Sequence, residues 1–285
     1  MSTNRKVRII VDSAADIAES IADKLTILPM TLRFGDTEYT DGVDITNKEF
    51  YEKLVESDEL PTTSQIMPHA FLQAYKEAID AGEDVVVITI SSKLSGTFQS
   101  ACIAEEEVEG NIYVVDSLSA AIGEGILAEL AVYLVDEGKS ASEIATELEE
   151  KRENIRVIAM LNTLEYLKKG GRISKTVAFA GELLSIKPVV SIVDGEVNLL
   201  GKARGSKQAN NLLVKEIENA GGVDFSLPLL LGYTGMEDSL LRKYVEDSSA
   251  LWEGNADKLR TSSIGSIVGT HVGPGAVAVA FFKNN

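Results

Sequence analysis

The chain has little of what most enzyme sites are built from. Its 285 residues include one cysteine and two histidines. Cys102 by itself forms no intramolecular disulfide. His69 and His271 lie far apart in sequence and have no cysteine partners, so neither a structural zinc motif nor a typical catalytic zinc site can be assembled. No metal and no cofactor are expected. Basic residues are also scarce: 27 Lys and Arg stand against 44 Asp and Glu, a net charge of −17. That balance argues against nucleic acid as the main partner, because phosphate backbones are held by clustered cations. It also limits contact with an anionic membrane to a transient one. A small anionic ligand stays possible, since a few local cations can dominate one pocket. No apolar run approaches the ~18–20 residues of a membrane span. The N-terminus MSTNRKVRIIVDSAAD is interrupted by Arg8 and does not form a signal peptide, so a cytoplasmic, disulfide-free protein is expected. The chain also lacks GxxxxGK[ST], GxGxxG and GxSxG, which sets aside an ATP or dinucleotide site and a nucleophile elbow.

What is present is ordinary globular material, 45% hydrophobic and 25% charged, in a length that favours two domains. The first half alternates strands and helices. Val7–Val11, Val85–Ile90 and Ile112–Val115 are short apolar runs of the kind found in buried parallel strands. A helix is expected from about Asp16, and Ile27–Phe34 with Thr37–Thr40 around Gly35-Asp36 suggests a hairpin inserted at about residues 27–45. Capping boxes begin at Thr46 and Ser140, and Pro68 suits a first helical turn. This βα repetition predicts an α/β fold, a parallel sheet with helices on both faces. In the second half, Asp194-Gly195 between two apolar runs signals a type I′ hairpin. Two helices and two or three strands follow, ending in Ala276–Phe282, and Ser174–Leu184 is expected to be a helix. Hairpins mixed with crossovers predict a mixed sheet. The expected domains are residues 1–153 and 154–285, divided in the charged stretch Glu149–Arg156.

Ligands of open α/β sheets bind beyond the carboxyl ends of strands. Asp12-Ser13, Ser91-Ser92 and Asp116-Ser117 lie there, though Asp and Ser are also ordinary helix caps. The loop Ser91-Ser92-Lys93-Leu94-Ser95-Gly96-Thr97 has four hydroxyls around one glycine, more than a cap needs, and suits an anion. Thr62-Thr63-Ser64-Gln65 is a second hydroxyl cluster or a solvated connector. His271 sits among glycines in a segment expected to be a loop, where it could donate to a carboxylate or shuttle a proton. His69 is expected to be structural. Lys168-Lys169-Gly170-Gly171-Arg172 is the densest basic site. Its lysines suit a last helical turn, while Arg172 follows the glycine cap in what is expected to be an exposed turn. This set binds an anion but shows no obvious nucleophile–base pair.

Taken in order, Asp12-Ser13…Asp16, Thr63-Ser64-Gln65, Ser91-Ser92…Leu94-Ser95-Gly96-Thr97…Gln99-Ser100-Ala101, Val115-Asp116-Ser117, Leu167-Lys168-Lys169-Gly170-Gly171-Arg172-Ile173-Ser174, Ile186-Lys187-Pro188 and His271…Gly273-Pro274-Gly275 resemble the DegV family over nearly the whole chain. Ile66-Met67 departs from it, since the family commonly has proline directly after the glutamine. The resemblance implies a two-domain DegV-like fold: an N-terminal three-layer α/β/α domain with a parallel sheet, and a C-terminal α/β domain with a mixed sheet. It implies the fatty-acid-binding subunit of bacterial fatty acid kinase, a lipid carrier rather than an enzyme. Such a subunit holds a long-chain fatty acid between its domains and carries the acyl phosphate made by a separate ATP-dependent kinase. Thr63, Ser95 and His271 would hold the carboxylate, with Thr62, Gly96 and Ser91 as secondary candidates, and Arg172 would serve phosphotransfer or kinase docking. The tunnel walls are not legible; helices from Ala120 and Thr176 are candidates. Two rival readings stay open: a self-contained hydrolase or phosphotransferase using His271, and a lipid-transport module with no kinase.

Overall fold

The structure is a computed structural model, and it describes residues 5–173 and 185–284. The expected helix at Ser174–Leu184 and the tunnel candidate at Thr176 lie outside the described residues.

The chain opens with β1 (Val7–Asp12), β2 (Leu25–Leu28), β3 (Thr31–Phe34), β4 (Thr37–Thr40), α1 (Asn47–Glu56), β5 (Thr62–Ser64), α2 (Pro68–Asp80), β6 (Asp84–Thr89), α3 (Thr97–Glu105) and β7 (Ile112–Asp116). The order β2-β1-β6-β7 forms a four-stranded sheet, parallel throughout. Two expectations need correction here. The segment after Asp16 is a short 3₁₀ helix, Glu19–Lys24, rather than an α-helix beginning at Asp16. The run Ile27–Phe34 is not one hairpin arm. Pro29 lacks an N–H for a ladder, and the chain breaks there. β2 joins the parallel sheet, while β3 pairs antiparallel with β4 and with β5 in a separate three-stranded sheet. The cluster Thr62-Thr63-Ser64 is therefore a strand rather than a connector.

Then follow α4 (Ile122–Asp136), α5 (Ala141–Arg152), β8 (Ile155–Met160), α6 (Glu165–Lys169), β9 (Ile186–Val193), β10 (Glu196–Arg204), α7 (Gly205–Asn219), β11 (Leu230–Tyr233), α8 (Ser239–Asp247), β12 (Thr261–Ser263), α9 (Ser266–Val272) and β13 (Val277–Phe282). The order β10-β9-β8-β13-β11-β12 makes a mixed six-stranded sheet in which only β11 and β12 run parallel. The β9–β10 turn has Asp194 at φ 51° and Gly195 at φ 81°, the two left-handed residues a type I′ hairpin demands. Three α-helices follow it rather than two.

Helix α4 explains how the halves are joined. It is apolar on nearly all sides, which marks a helix buried all round. It packs against β1 and β6 on one side and β8, β11 and β13 on the other. One core cluster accordingly runs from Val86 and Ile88 of the parallel sheet through Ile122, Ile126 and Leu127 to Val157, Ala280 and Phe282 of the mixed sheet. The other face of the parallel sheet covers α1, α2 and α3 with Ile10, Val85 and Val87, and the other face of the mixed sheet turns Ile158, Val277, Val279 and Phe281 toward the core that holds Leu213 and Tyr244 of α7 and α8. Among the described residues no helix is long and apolar enough to cross a membrane.

Candidate functional site

Strand alternation prepares a cavity. Along β13, odd residues are large and face α7 and α8, whereas Ala278 and Ala280 face inward. Ala159 of β8 pairs with Ala278, and Ala276 lies just before β13. Small residues on an inner face leave space that close packing would otherwise remove. The result is a cavity of about 420 Å³ whose walls include Met30, Ile90, Ala120, Ala121, Val157, Ala159, Val190, Ile264, Ala276 and Ala278. The lining is mostly apolar with a few polar groups, the usual make-up of a small-molecule site.

The polar groups of the lining are held in three separate sets of hydrogen bonds. Thr63 Oγ1 of β5 lies 3.0 Å from His271 Nε2 of α9. Ser95 Oγ lies 2.9 Å from Thr97 Oγ1 and accepts the Thr97 N–H. Arg172 donates from Nε to Leu94 O (3.1 Å) and from Nη1 to Gly170 O (2.6 Å), which ties the basic loop to the hydroxyl loop. Arg172 is half-buried in the cavity wall, so it does not sit in an exposed turn as expected. Two carbonyls draw the guanidinium inward. Burial lowers its pKa.

His271 is also placed differently from expectation. It lies in the last turn of α9, not in a loop. Gly269 is helical too. A Cβ there would meet Phe50 and Tyr51 at 2.7 and 2.6 Å, so this glycine serves close packing of α9 on α1. Only Gly273 and Gly275, at φ 72° and 81°, make the loop. Gly170 meets the imidazole in the same way, since a Cβ on it would lie 2.3 Å from Nδ1. Nδ1 is buried and has no hydrogen-bond partner among the described residues. Desolvation, with help from the Arg172 charge, pushes the imidazole pKa down to about 4, so at neutral pH the ring is uncharged.

Of the expected site residues, Thr63, Ser95, Gly96, Arg172 and His271 all line the cavity. Thr62 does not, because on a strand its neighbour's inward side chain leaves it exposed. Ser91 does not either. It is fully buried and donates to Gly195 O at 2.8 Å, which pins the β9–β10 turn to the first half. His69 is exposed on α2. Gln65, which follows the Thr62-Thr63-Ser64 strand, is a further polar residue of the site. It lines the cavity, crosses Gly96 so closely that a Cβ there would lie 2.0 Å from Oε1, and donates to Ser100 Oγ at 3.0 Å. The pairing of a small residue with a polar loop was its sequence signal. No group of three His, Cys, Asp or Glu side chains suited to a metal occurs among the described residues.

The DegV family model matches residues 6–284. A DegV domain-containing protein of Clostridium perfringens is 33% identical over 283 residues, covering 98% of this chain and 99% of that protein. One from Caldanaerobacter subterraneus subsp. tengcongensis is 34% identical over 282 residues, covering 97% and 98%. Among solved structures, a DegV family protein of Thermus thermophilus described by its fatty acid binding superposes with a TM-score of 0.87 at 31% identity, covering 97% of this chain and 99% of that one. A DegV lipid-binding protein of Thermotoga maritima gives 0.84 at 31%, covering 96% and 97%. Bacillus subtilis DegV, a fatty acid binding protein, gives 0.82 at 30%, covering 98% and 100%. With a parallel N-terminal sheet, a mixed C-terminal sheet and this match along its length, the chain belongs to the DegV family.

Proposed function

We propose that the protein binds one long-chain fatty acid in the cavity and presents its carboxylate to an ATP-dependent kinase, carrying the acyl phosphate. The observation that carries the binding half is an apolar cavity whose wall brings together the hydrogen-bonded pair Thr63–His271, the Ser95 hydroxyl and the Arg172 guanidinium. Each methylene buried contributes about 0.8 kcal/mol, so the tail supplies affinity and the donors fix polarity and direction. The empty hydrogen-bonding environment of Nδ1 favours the tautomer with its proton on Nε2, which then donates to Thr63 Oγ1. The Thr63 hydroxyl hydrogen is thereby free to donate to the carboxylate. The fatty acids bound by the related Thermus and Bacillus proteins support the same ligand class. Mass spectrometry of lipid extracted from the purified protein is expected to find about one fatty acid per chain. Thr63→Ala and Ser95→Ala are each expected to weaken binding about tenfold or more, because a hydrogen bond to a charged group contributes about 1.5–3 kcal/mol. Lipid-free protein that also binds no added fatty acid overturns the reading.

The kinase half places the protein in the cytoplasm, where ATP is available, and rests on Arg172. A guanidinium anchored by two carbonyls at the cavity wall is positioned to meet charge that develops on the head group. Arg172→Ala is expected to lower acyl phosphate formation with kinase and ATP at least a hundredfold, and fatty acid affinity less than tenfold. Lysine should rescue only in part, lacking the planar fork. Paired titration and phosphorylation assays on the same variant check this, and equal losses in both return Arg172 to a simple binding role.

One observation favours a second reading, a self-contained hydrolase: Thr63 and His271 form a hydroxyl–imidazole pair that the sequence did not disclose. Two facts weigh against it. An imidazole with a pKa of about 4 is a weak base at neutral pH, and Nδ1 has no orienting carboxylate. Hydrolysis of an acyl ester by the protein alone would establish it.

A further inference from the structure

The Asp12-Ser13…Asp16 motif at the end of β1 has no part in the cavity lining, and it does not cap a helix of its own. The 3₁₀ segment that follows, Glu19–Lys24, has Ala18 at its N-cap and no side-chain cap. Asp12 accepts N–H groups from Ala14 (2.9 Å) and Ile90 (2.8 Å), holding the ends of β1 and β6 together. Asp16 reaches across to the other half. Its Oδ1 accepts the Gly265 N–H at 2.7 Å, 249 residues away. Asp41 Oδ1 accepts the Ser266 hydroxyl at 2.5 Å. Gly265 and Ser266 are the N-cap and first residue of α9, which has no side-chain cap of its own. One backbone donor at the start of this helix, the Gly265 N–H, is thus satisfied by Asp16, and the hydroxyl of its first residue is held by Asp41, both buried side chains of the first half.

The same helix carries His271 six residues later, about 9 Å along the axis at 1.5 Å per residue. The network also reaches the other partner of the head-group pair. Ser13 Oγ accepts the Met30 N–H at 3.0 Å, and Met30 O accepts the Asp41 N–H at 3.0 Å. Met30 immediately precedes β3, and β3 pairs with β5 through Leu32 and Thr63. A closed circuit results: Asp41 holds the start of α9, α9 holds His271, His271 meets Thr63, and Thr63 returns through β5 and β3 to Met30 and Asp41.

We infer that Asp16 and Asp41 are positioning residues of the head-group site, tying down from the first half the start of the helix that brings His271 to Thr63. This rests on the proposed fatty acid reading for its consequence, but not for its geometry. Each tie works through a single accepting oxygen and needs no charge. Burial pushes both carboxyls above their ordinary range, which agrees with that.

The test uses the whole protein and two readouts. One is the NMR titration of the His271 ring in lipid-free protein, with exposed His69 as the only other imidazole signal. The other is fatty acid titration with palmitate. Asp16→Ala is expected to release the start of α9, move the His271 titration upward by about one unit or more toward the usual imidazole range, and weaken palmitate binding about tenfold. Asp16→Asn keeps the accepting oxygen and should restore both. Ser266→Ala, which removes the Asp41 tie alone, should move both in the same direction by less. Asn210→Ala serves as the control for general loosening: Asn210 is buried on α7 and donates to Asp247 Oδ2 at 3.0 Å, well away in sequence from α9's ties. It should lower the thermal midpoint and leave the His271 titration unmoved. If Asp16→Ala fails to fold, Ser266→Ala and Asp16→Asn decide. An unmoved His271 titration in folded Asp16→Ala or Ser266→Ala overturns the inference, as does an equal movement in Asn210→Ala. Wild-type protein that binds no palmitate would overturn the proposed function while leaving the His271 readout to test the positioning.

Discussion

Replacing Ala278 with phenylalanine is expected to reduce long-chain fatty acid affinity at least a hundredfold while leaving the protein folded. Ala278 lies on the inner face of β13, buried, opposite Ala159 on one neighbouring strand and Gly232 on the other. The ring would enter the cavity, because every other direction is taken by the sheet or by the packed core. Displacing four or five methylenes of the tail forfeits about 0.8 kcal/mol each, or about 3–4 kcal/mol in all. Overpacking in a closed core costs about 1–3 kcal/mol, and here the pre-existing space lowers that cost. The signature is a loss that grows with chain length: a short-chain acid, whose tail ends before the ring, should bind the variant almost as it binds the parent. Titration with a chain-length series and a thermal midpoint on the unliganded protein check both parts. A loss that is the same for every chain length would mean general damage rather than a blocked tail.

A second large effect concerns pH. Glu124 is on α4 between the two sheets, fully buried, and neither carboxyl oxygen has a hydrogen-bond partner among the described residues. Burial, and then the charges of Asp12, Asp16 and Asp116, hold its carboxyl well above the ordinary range. Asp12 is pushed up to about 6 by burial, and Asp16 and Asp41 are raised for the same reason. In each case the folded state holds a proton that the unfolded chain has released, so stability falls as pH rises above the ordinary carboxyl range and through the folded value. Each pH unit over which one such group alone stays protonated costs about 1.4 kcal/mol. His271 acts in the opposite sense. Its folded value of about 4 is below the usual 6.5, so it removes stability as pH falls from 6.5 toward 4. Between pH 8 and 6.5, above the Asp12 value, Glu124 and Asp16 therefore act without opposition from His271. The thermal midpoint should rise over that interval as the pH is lowered. Glu124→Gln, which keeps the shape and cannot ionise, should raise the midpoint at pH 8 by about 3 °C or more and flatten its dependence on pH. At pH 5 the advantage should vanish or reverse, since a buried amide is no cheaper than a neutral carboxyl. An advantage of equal size at both pH values would show that ionisation of Glu124 is not the cause.

Much of the cavity's polar end was legible in the residues. Thr63, Ser95 and Arg172 stood out because hydroxyls beyond the need of a cap, and a cation beyond the need of a helix end, are local anomalies. His271 stood out by its rarity. Its setting was misread because glycines around a histidine suit either a loop or a helix packed against a bulky neighbour, and only the presence of Phe50 and Tyr51 beside Gly269 decides between the two. Arg172 was misread as exposed for a similar reason: the carbonyl of Leu94 that draws it inward is 78 residues away.

The sequence by itself determined which segments pair apolar faces with polar ones. The apolar runs that become the parallel strands, the capping boxes at Thr46 and Ser140, and the Asp194-Gly195 turn are each written within a few residues, so short-range patterning and cap chemistry are enough to mark them. Tertiary structure alone decided the cavity and its wiring. Ala278 and Ala159 leave space only because their strands pair with both small residues facing α4, and a single alanine in a strand says nothing about what is missing opposite it. Asp16 ties down the start of a helix 249 residues away, and Thr63 meets a histidine 208 residues on. Such contacts exist only once both sheets have closed on α4, because their energy comes from donors and acceptors that no local window of the chain contains.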